Sequence, residues 1–277
     1  MTPLLVVVYL ACTACAFAWI ASLVTGDTSW VDRSWSIVPV VYLWVFAAYA
    51  HLTNARLDVM AGLVTVWGVR LTFNFARKGG YSGVEDYRWE VLRSRMSRWQ
   101  FQLFNLFFIV LYQNLLLVLI VLPALTAYDN RSTAFGPLDA VLAMLFLGCT
   151  IGETVADQQQ WEFQSWKRRE IEAGLSPSPR FVQTGMFRFS RHPNFFFEQA
   201  QWWILCFIGT VAAGSVLQWT VAGPLLLTLL FVGSTSFTEQ ISVSRYPEYE
   251  QFQRTTSAIV PWFRRPERVV AHAVDTE

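Results

Sequence analysis

The stretch Phe187–Glu198, FRFSRHPNFFFE, sets two arginines, a histidine and a Pro-Asn pair directly against a run of phenylalanines. Proline suits a first helical turn, where its missing N–H costs nothing, so Pro193 can open a helix. Asn194 and Glu198 then lie one turn apart on one face. The free N–H groups of such a helix start favour an anion. Arg188, Arg191 and His192 add donors for phosphate oxygens. These types at this spacing suit a dinucleotide or another anionic cofactor. A positive anchor against lipid headgroups would account for the arginines as well, but it requires neither His-Pro-Asn nor the acid that follows.

Other ionisable and amide side chains interrupt apolar sequence, where they are expensive and point to function. Asp32 and Arg33 sit in WVDRSW, Arg70 in VWGVRLTF, and Gln113 beside Asn114. Glu153 and Asp157 close one apolar run, Glu198 opens the next, and Glu239 ends the last. Internal pairing, such as Arg70 with Asp32 or Glu153, would make some of them structural. As a set they point to a polar cavity open to the cytosol, with Gln113 a candidate catalytic side chain in it.

The elements that position these groups are apolar helices. The 277 residues are 54% hydrophobic and only 15% charged, with a mean hydropathy of +0.35, whereas a soluble domain carries about 25% charged residues. Seven runs approach the roughly 20 residues that cross a bilayer: Leu4–Val24, Ile37–Leu52, Val59–Ala76, Phe101–Leu122, Leu138–Val155, Phe195–Ala213 and Val216–Phe237. The expected fold class is therefore an all-α integral membrane protein of about seven spans. It reads as one multi-pass domain over 1–277, with helices of 1–100 lining a substrate cavity and 101–277 binding the cofactor. Basic clusters at Arg77–Arg98, Lys167–Arg191 and Arg245–Arg268 share one side of a seven-span layout. That side is cytosolic, which puts the N-terminus in the periplasm or lumen and the C-terminal tail in the cytosol. MTPLLVVVYL has no basic start or evident cleavage site, so it reads as a retained helix. A net charge of +1 gives nucleic-acid binding no electrostatic support. Cys12 and Cys15, spaced CxxC within a span, read as small buried side chains on one helix face, and no Cys-His metal set is present.

Two loops and a tail face the cytosol. The loop RKGGYSGVEDYRWEVLRSRMSRW turns at Gly-Gly and continues as an amphipathic surface stretch. From Glu153 to Glu172 neither proline nor glycine interrupts the chain, so the fifth span emerges from the bilayer and ends at Gly174. On it Asp157, Trp161, Gln164 and Arg168 share a face, and Gln160, Phe163 and Lys167 form a neighbouring one. The tail mixes Tyr246, Tyr249, Phe252, Arg254 and Trp262, types that stack an adenine and hold a phosphate, or anchor to a membrane surface.

RHPNFFFE resembles the RHPNY-x-G-[ED] motif of membrane reductases, the steroid 5-alpha-reductases and the sterol C14 and C7 reductases. The chain looks closest to a bacterial family of unknown function grouped with the steroid 5-alpha-reductase C-terminal domain. VDRSW, VTVWGVRLTF, GVEDYRW, ETVADQQQWEFQ, TGMFRFSRHPNF and PEYEQFQRTTSAIVPWF have counterparts there. The resemblance implies NADPH, bound from the cytosolic side without a Rossmann fold, and hydride transfer to an activated C=C bond of a steroid-like or other enone lipid. It implies a cofactor site drawn from Asp157, Arg191, His192, Asn194, Phe195, Glu198, Tyr246 and Tyr249, with Lys167, Arg188 and Arg254 toward its phosphates. Arg70, the EDYR block of Asp86, Tyr87 and Arg88, and Glu153, Gln160, Trp161 and Gln164 complete that candidate set. Asp32 falls where the steroid enzymes carry a carbonyl-polarising glutamate, and Trp67 where they carry a tyrosine. Phe197 replaces the motif glycine, which implies a narrowed site.

Membrane methyltransferases of the isoprenylcysteine and phospholipid type carry a similar arginine-rich stretch and use S-adenosylmethionine. A non-catalytic membrane protein that binds lipid is the third class. Implied partners are a hydrophobic small molecule and membrane lipids, and the implied setting is a bacterial inner membrane.

Overall fold

The apolar runs fold as helices whose ends carry ordinary capping chemistry. Thr2 accepts the Leu5 N–H at the start of α1 (Pro3–Thr25), and Gly26 closes it in the left-handed region at φ 71°. α2 (Trp30–Trp35) and α3 (Val38–Tyr49) follow. Asn54 caps α4 (Ala55–Arg77) by accepting from Leu57, and Asp86 caps α5 (Tyr87–Arg95) by accepting from Arg88. α6 (Arg98–Phe104), a π-helical stretch (Asn105–Tyr112), α7 (Gln113–Val121) and α8 (Pro123–Asp129) form one nearly unbroken rod. α9 (Pro137–Glu172), α10 (Pro193–Ala213), α11 (Ala222–Arg245) and α12 (Tyr249–Thr255) complete the chain. The computed structural model describes residues 1–264, and among these no strand occurs. Arg265 and Arg268 of the expected third basic cluster lie outside the described residues.

Five helical stretches are long and apolar enough to cross a membrane: Pro3–Thr25, Ala55–Arg77, Arg98–Asp129, Pro137–Glu172 and Trp219–Arg245. Two of the seven expected spans are not among them. α3 has 12 residues, about 18 Å of helix against a hydrocarbon core of about 30 Å. α10 has 21 residues and is long enough, but Asn194, Glu198, Gln199 and Gln201 crowd its first turns.

The chain divides into two units, neither continuous in sequence. The first comprises Met1–Gly152 and Phe197–Val232; the second comprises Glu153–Phe196 and the chain from Gly233 onward. In the first unit α1, α3, α4 and α7 pack on one another around Leu43, Phe46, Leu57, Met60, Val64, Trp67, Leu116 and Trp202. Arg56 and Asp139 form a buried ion pair there, Nε to Oδ1 at 2.7 Å and Nη2 to Oδ2 at 2.8 Å. Arg56 also donates to the Thr133 and Ala134 carbonyls, tying the 130–137 turn to α4. Cys12 is exposed and Cys15 half-buried, so the expected buried pair is not formed. In the second unit Ala156, Val182 and Phe187 make a small core.

Candidate functional site

The first unit holds two polar centres. In one, Glu198 stands 5% exposed with each carboxylate oxygen taking one indole N–H. Trp67 Nε1 donates to Oε2 at 2.8 Å and Trp202 Nε1 to Oε1 at 3.0 Å. The two indoles meet edge to face at 4.9 Å. Trp67 reaches Glu198 from α4, and Trp202 from one turn further along α10. Among the described residues no lysine, arginine or histidine forms an ion pair with Glu198. A buried carboxylate usually has a cation or several strong donors. This one has two neutral N–H groups, and it can therefore stabilise positive charge brought to it.

The neighbouring residue explains the departure at Phe197. Its ring lies where a Cβ on Gly152 would stand, 2.6 Å away. A residue without a side chain on α9 makes the room that phenylalanine takes up on α10.

The other centre joins WVDRSW to GVEDYRW. Trp89 Nε1 donates to Asp32 Oδ2 at 2.9 Å. Asp86 caps α5 and pairs with Arg88 at 2.7 Å, while its own N–H donates to Ser29 at 3.1 Å. Glu85 accepts from the Thr28 N–H and hydroxyl. Burial holds the Asp32 carboxyl above the usual range, and the Asp86 charge adds to this; the Trp89 N–H and Arg88 oppose it. Arg88 is raised through its bond and attraction to Asp86, against desolvation. Within the EDYR block the Asp86 carboxylate thus bonds Arg88, and Glu85 bonds Thr28 and Arg93. Asp32 meets an indole, which corrects the Arg70–Asp32 ion pair offered as a structural alternative. Tyr87 is exposed and Arg70 half-buried on α4. Gln113 is buried where the π-helical stretch ends.

In the second unit Arg191 is a clamp. Its Nε and Nη2 bond both oxygens of Glu239 at 2.6 and 2.9 Å. Its Nη1 donates to the carbonyls of Gln253, at 2.9 Å, and Thr256. His192 Nε2 and Gln253 Nε2 complete the shell around Glu239 at 3.0 and 2.8 Å. The backbone N–H groups of Arg191 and His192 donate to the Ser257 and Ala258 carbonyls, so the RHPN segment is stitched along the chain that follows α12. Four of Arg191's donor bonds thus go to protein acceptors, and Arg191 also lines the cavity described next. Tyr249 is buried beside the clamp, its phenol raised by burial and by the Glu239 charge, and it meets Phe181 edge to face at 4.9 Å.

Against this clamp lies a cavity of about 500 Å³, lined by Arg191, Gln253, Arg254, Thr256, Trp262 and Phe263 among others. The Thr256 hydroxyl is buried without a hydrogen-bond partner, and Arg254 is exposed with one distant carboxylate, Glu250, at 3.4 Å. Lys167 donates to Tyr246 Oη and the Arg180 carbonyl at 2.9 and 2.7 Å. Glu153 and Asp157 are buried a turn apart on α9. Gln160 and Trp161 are half-buried, the Gln160 Oε1 without a partner, while Gln164 and Arg188 are exposed. Asn194 and Phe195 are half-buried at the start of α10, with Phe195 stacked on the His192 ring at 5.2 Å.

The chain matches, over residues 18–256, the family described as "Protein of unknown function (DUF1295)". It belongs to that family. An uncharacterized protein of Schizosaccharomyces pombe (strain 972 / ATCC 24843) is 38% identical over 259 residues, 88% of this chain and 75% of that protein. No solved structure matches. The DUF1295 span contains both centres of the first unit and the whole Arg191 clamp. Sequence reasoning did not select Trp202, Trp89 or Gln253 as site residues. The i, i+4 spacing of Glu198 and Trp202 was a usable signal. For Trp89 and Gln253 none existed, because their partners lie 57 and 14 residues away.

Proposed function

We propose that this DUF1295 protein is a membrane-embedded reductase that uses NADPH to reduce an activated C=C bond of a hydrophobic, steroid-like or other enone lipid. The observation that carries the reading is Glu198, a buried carboxylate held by two indole N–H groups and, among the described residues, in no ion pair. NADPH, when bound, supplies a hydride, and its nicotinamide ring gains positive charge as it does so. Glu198 would favour positive charge that grows toward a transition state beside it, which is the condition for catalysis. A sulfonium methyl donor loses its charge along the reaction, so the same carboxylate would hold back a methyl transfer. This asymmetry favours the reductase over the methyltransferase.

Asp32 supports the second half of the chemistry. A carboxyl with a raised pKa in a half-buried site can keep a proton and give it to a substrate oxygen, and Trp89 fixes its orientation. In the second unit the cavity offers the Arg254 guanidinium, the unpartnered Thr256 hydroxyl and the Trp262 indole, which suit phosphate and an aromatic base. The basic loops would face the cytosol of a multi-pass membrane protein.

Calorimetry with NADPH on detergent-purified protein tests the reading. Expected is micromolar binding that Glu198→Ala and Asn194→Ala both abolish, followed by NADPH oxidation with enone lipids. No NADPH binding, together with thermal stabilisation by S-adenosylmethionine, would refute it.

A further inference from the structure

The cavity beside the Arg191 clamp grows more apolar from its floor to its mouth. Its most buried lining residues are Thr255 and Thr256, 4% and 3% exposed, and Arg191, whose charge is paired with Glu239. Its most exposed ones are Val260, Trp262 and Phe263, at 60%, 67% and 78%. Interfaces between proteins are built the other way round, with an apolar centre and a polar rim. The apolar mouth also extends past the cavity. The Phe263 ring meets the exposed Phe189 ring edge to face at 6.3 Å and the Trp262 ring at 6.4 Å. The Trp262 N–H donates to the Phe189 carbonyl at 2.8 Å, so backbone bonding holds the aromatic group together where no core covers it.

The charge around the cavity is mostly of one sign. Among the described residues neither aspartate nor glutamate lines it. Arg254 lines it with a side chain 78% exposed. Arg264 donates from Nε to the hydroxyl of Thr255, a lining residue, at 3.2 Å. Arg188 lies over the Phe189 ring at 5.8 Å. Of these three guanidiniums only that of Arg254 has a carboxylate partner among the described residues, Glu250 at 3.4 Å. At the floor the Thr256 hydroxyl is buried with no hydrogen-bond partner, a donor left for an acceptor that the described residues do not supply.

We propose that this cavity seats the phosphate head group of an anionic phospholipid, with the lipid chains over Val260, Trp262, Phe263 and Phe189. Phosphate oxygens accept from the Thr256 hydroxyl and, in charge-assisted bonds, from the Arg254 guanidinium. Arg264 and Arg188 add an attraction that favours an anionic lipid over a zwitterionic one. The exposed rings meet the glycerol and the first methylenes, the depth at which tryptophan collects in bilayers. A free phosphate ester satisfies the floor and leaves the mouth bare, whereas a lipid satisfies both. Arg254 and Thr256 are also the groups offered to the cofactor above, so lipid and NADPH exclude each other here. The lipid seat stands whether or not the chain is a reductase.

Full-length protein in non-ionic detergent is titrated, without nucleotide, with dioctanoyl phosphatidate, dioctanoyl phosphatidylcholine and glycerol phosphate, and thermal unfolding is followed by helicity. Expected is saturable stabilisation by phosphatidate at about a tenth or less of the concentration that either other ligand needs. Arg254→Gln and Phe263→Ser change mostly exposed side chains, so both should keep the wild-type Tm without lipid. Each should bind phosphatidate about tenfold more weakly, as should Thr256→Val, which removes an unpartnered oxygen. Equal stabilisation by phosphatidate and phosphatidylcholine, or full affinity in Arg254→Gln, would overturn the proposal. Glycerol phosphate acting as strongly as phosphatidate would assign the cavity to a free phosphate ester and overturn the lipid seat. No stabilisation by phosphatidate would overturn it equally. None of these arms contains NADPH, so their failure is distinct from a failure of the reductase reading.

Discussion

Replacing Trp67 by phenylalanine removes one of the two N–H groups that hold the Glu198 carboxylate. The lost bond is 2.8 Å long, its donor is wholly buried, and its acceptor is 5% exposed. A net hydrogen bond to a charged group contributes about 1.5–3 kcal/mol. The same substitution also trims a core indole, which costs stability on its own account. A double-mutant cycle with Glu198→Leu subtracts the packing loss, leaving a coupling of about 1.5–3 kcal/mol. A second cycle with Trp202→Phe should give a similar value. The double variant Trp67→Phe with Trp202→Phe should be worse than additive while the carboxylate remains, because removing both indoles strands a bare buried charge. Unfolding is followed by helicity in mixed detergent micelles at neutral pH, since 13 tryptophans would blur a fluorescence signal. A coupling below about 0.5 kcal/mol in both cycles, the additive noise level, would show that Glu198 is not an ion held by the indoles. The charge-stabilising role proposed for it would fall with that result.

Asp32→Asn should remove a pH dependence of definite sign. The folded carboxyl is raised above its unfolded value of about 3.9, so its burial costs stability once it ionises. Wild type should lose stability relative to Asp32→Asn as pH rises from that value through the folded pKa, and be level with it in slope on either side; unfolding free energies at stepped pH check this, and an opposite slope refutes it. Arg56→Met should cost about 3–5 kcal/mol by stranding Asp139, whereas Arg56→Met with Asp139→Leu should recover most of the loss, as unfolding of the three proteins will show. Gly152→Ala drives a methyl to within 2.6 Å of the Phe197 ring and should cost about 1–3 kcal/mol, a loss that adding Phe197→Ala should largely reverse. In the second unit, Glu239→Gln should loosen the chain after α12. Faster proteolysis between residues 253 and 262, with helicity unchanged, is the expected result.

What the sequence by itself determined is the helical, membrane-type character and the places where chemistry could sit. Apolar runs, the proline at the first position of α10, the glycine after α9 and the acid or amide caps act over a turn or two, so they are legible locally. The polar breaks at Asp32 and Glu198 were likewise visible, because charge in apolar sequence is costly wherever it falls, whereas Trp67 was marked only by the resemblance. Only the tertiary structure decided what those groups do. That Arg191 grips Glu239, 48 residues away, is not written in either segment. Nor is the bond from Trp89, which follows the EDYR block, to Asp32 of WVDRSW. Phe197 reads as an obstruction until Gly152, 45 positions earlier in the chain, is found beneath its ring. No periodicity announced the π-helical stretch from Asn105 to Tyr112. Hydrogen bonds and side-chain volume are satisfied between residues distant in sequence, and a local pattern carries no record of which partner will arrive.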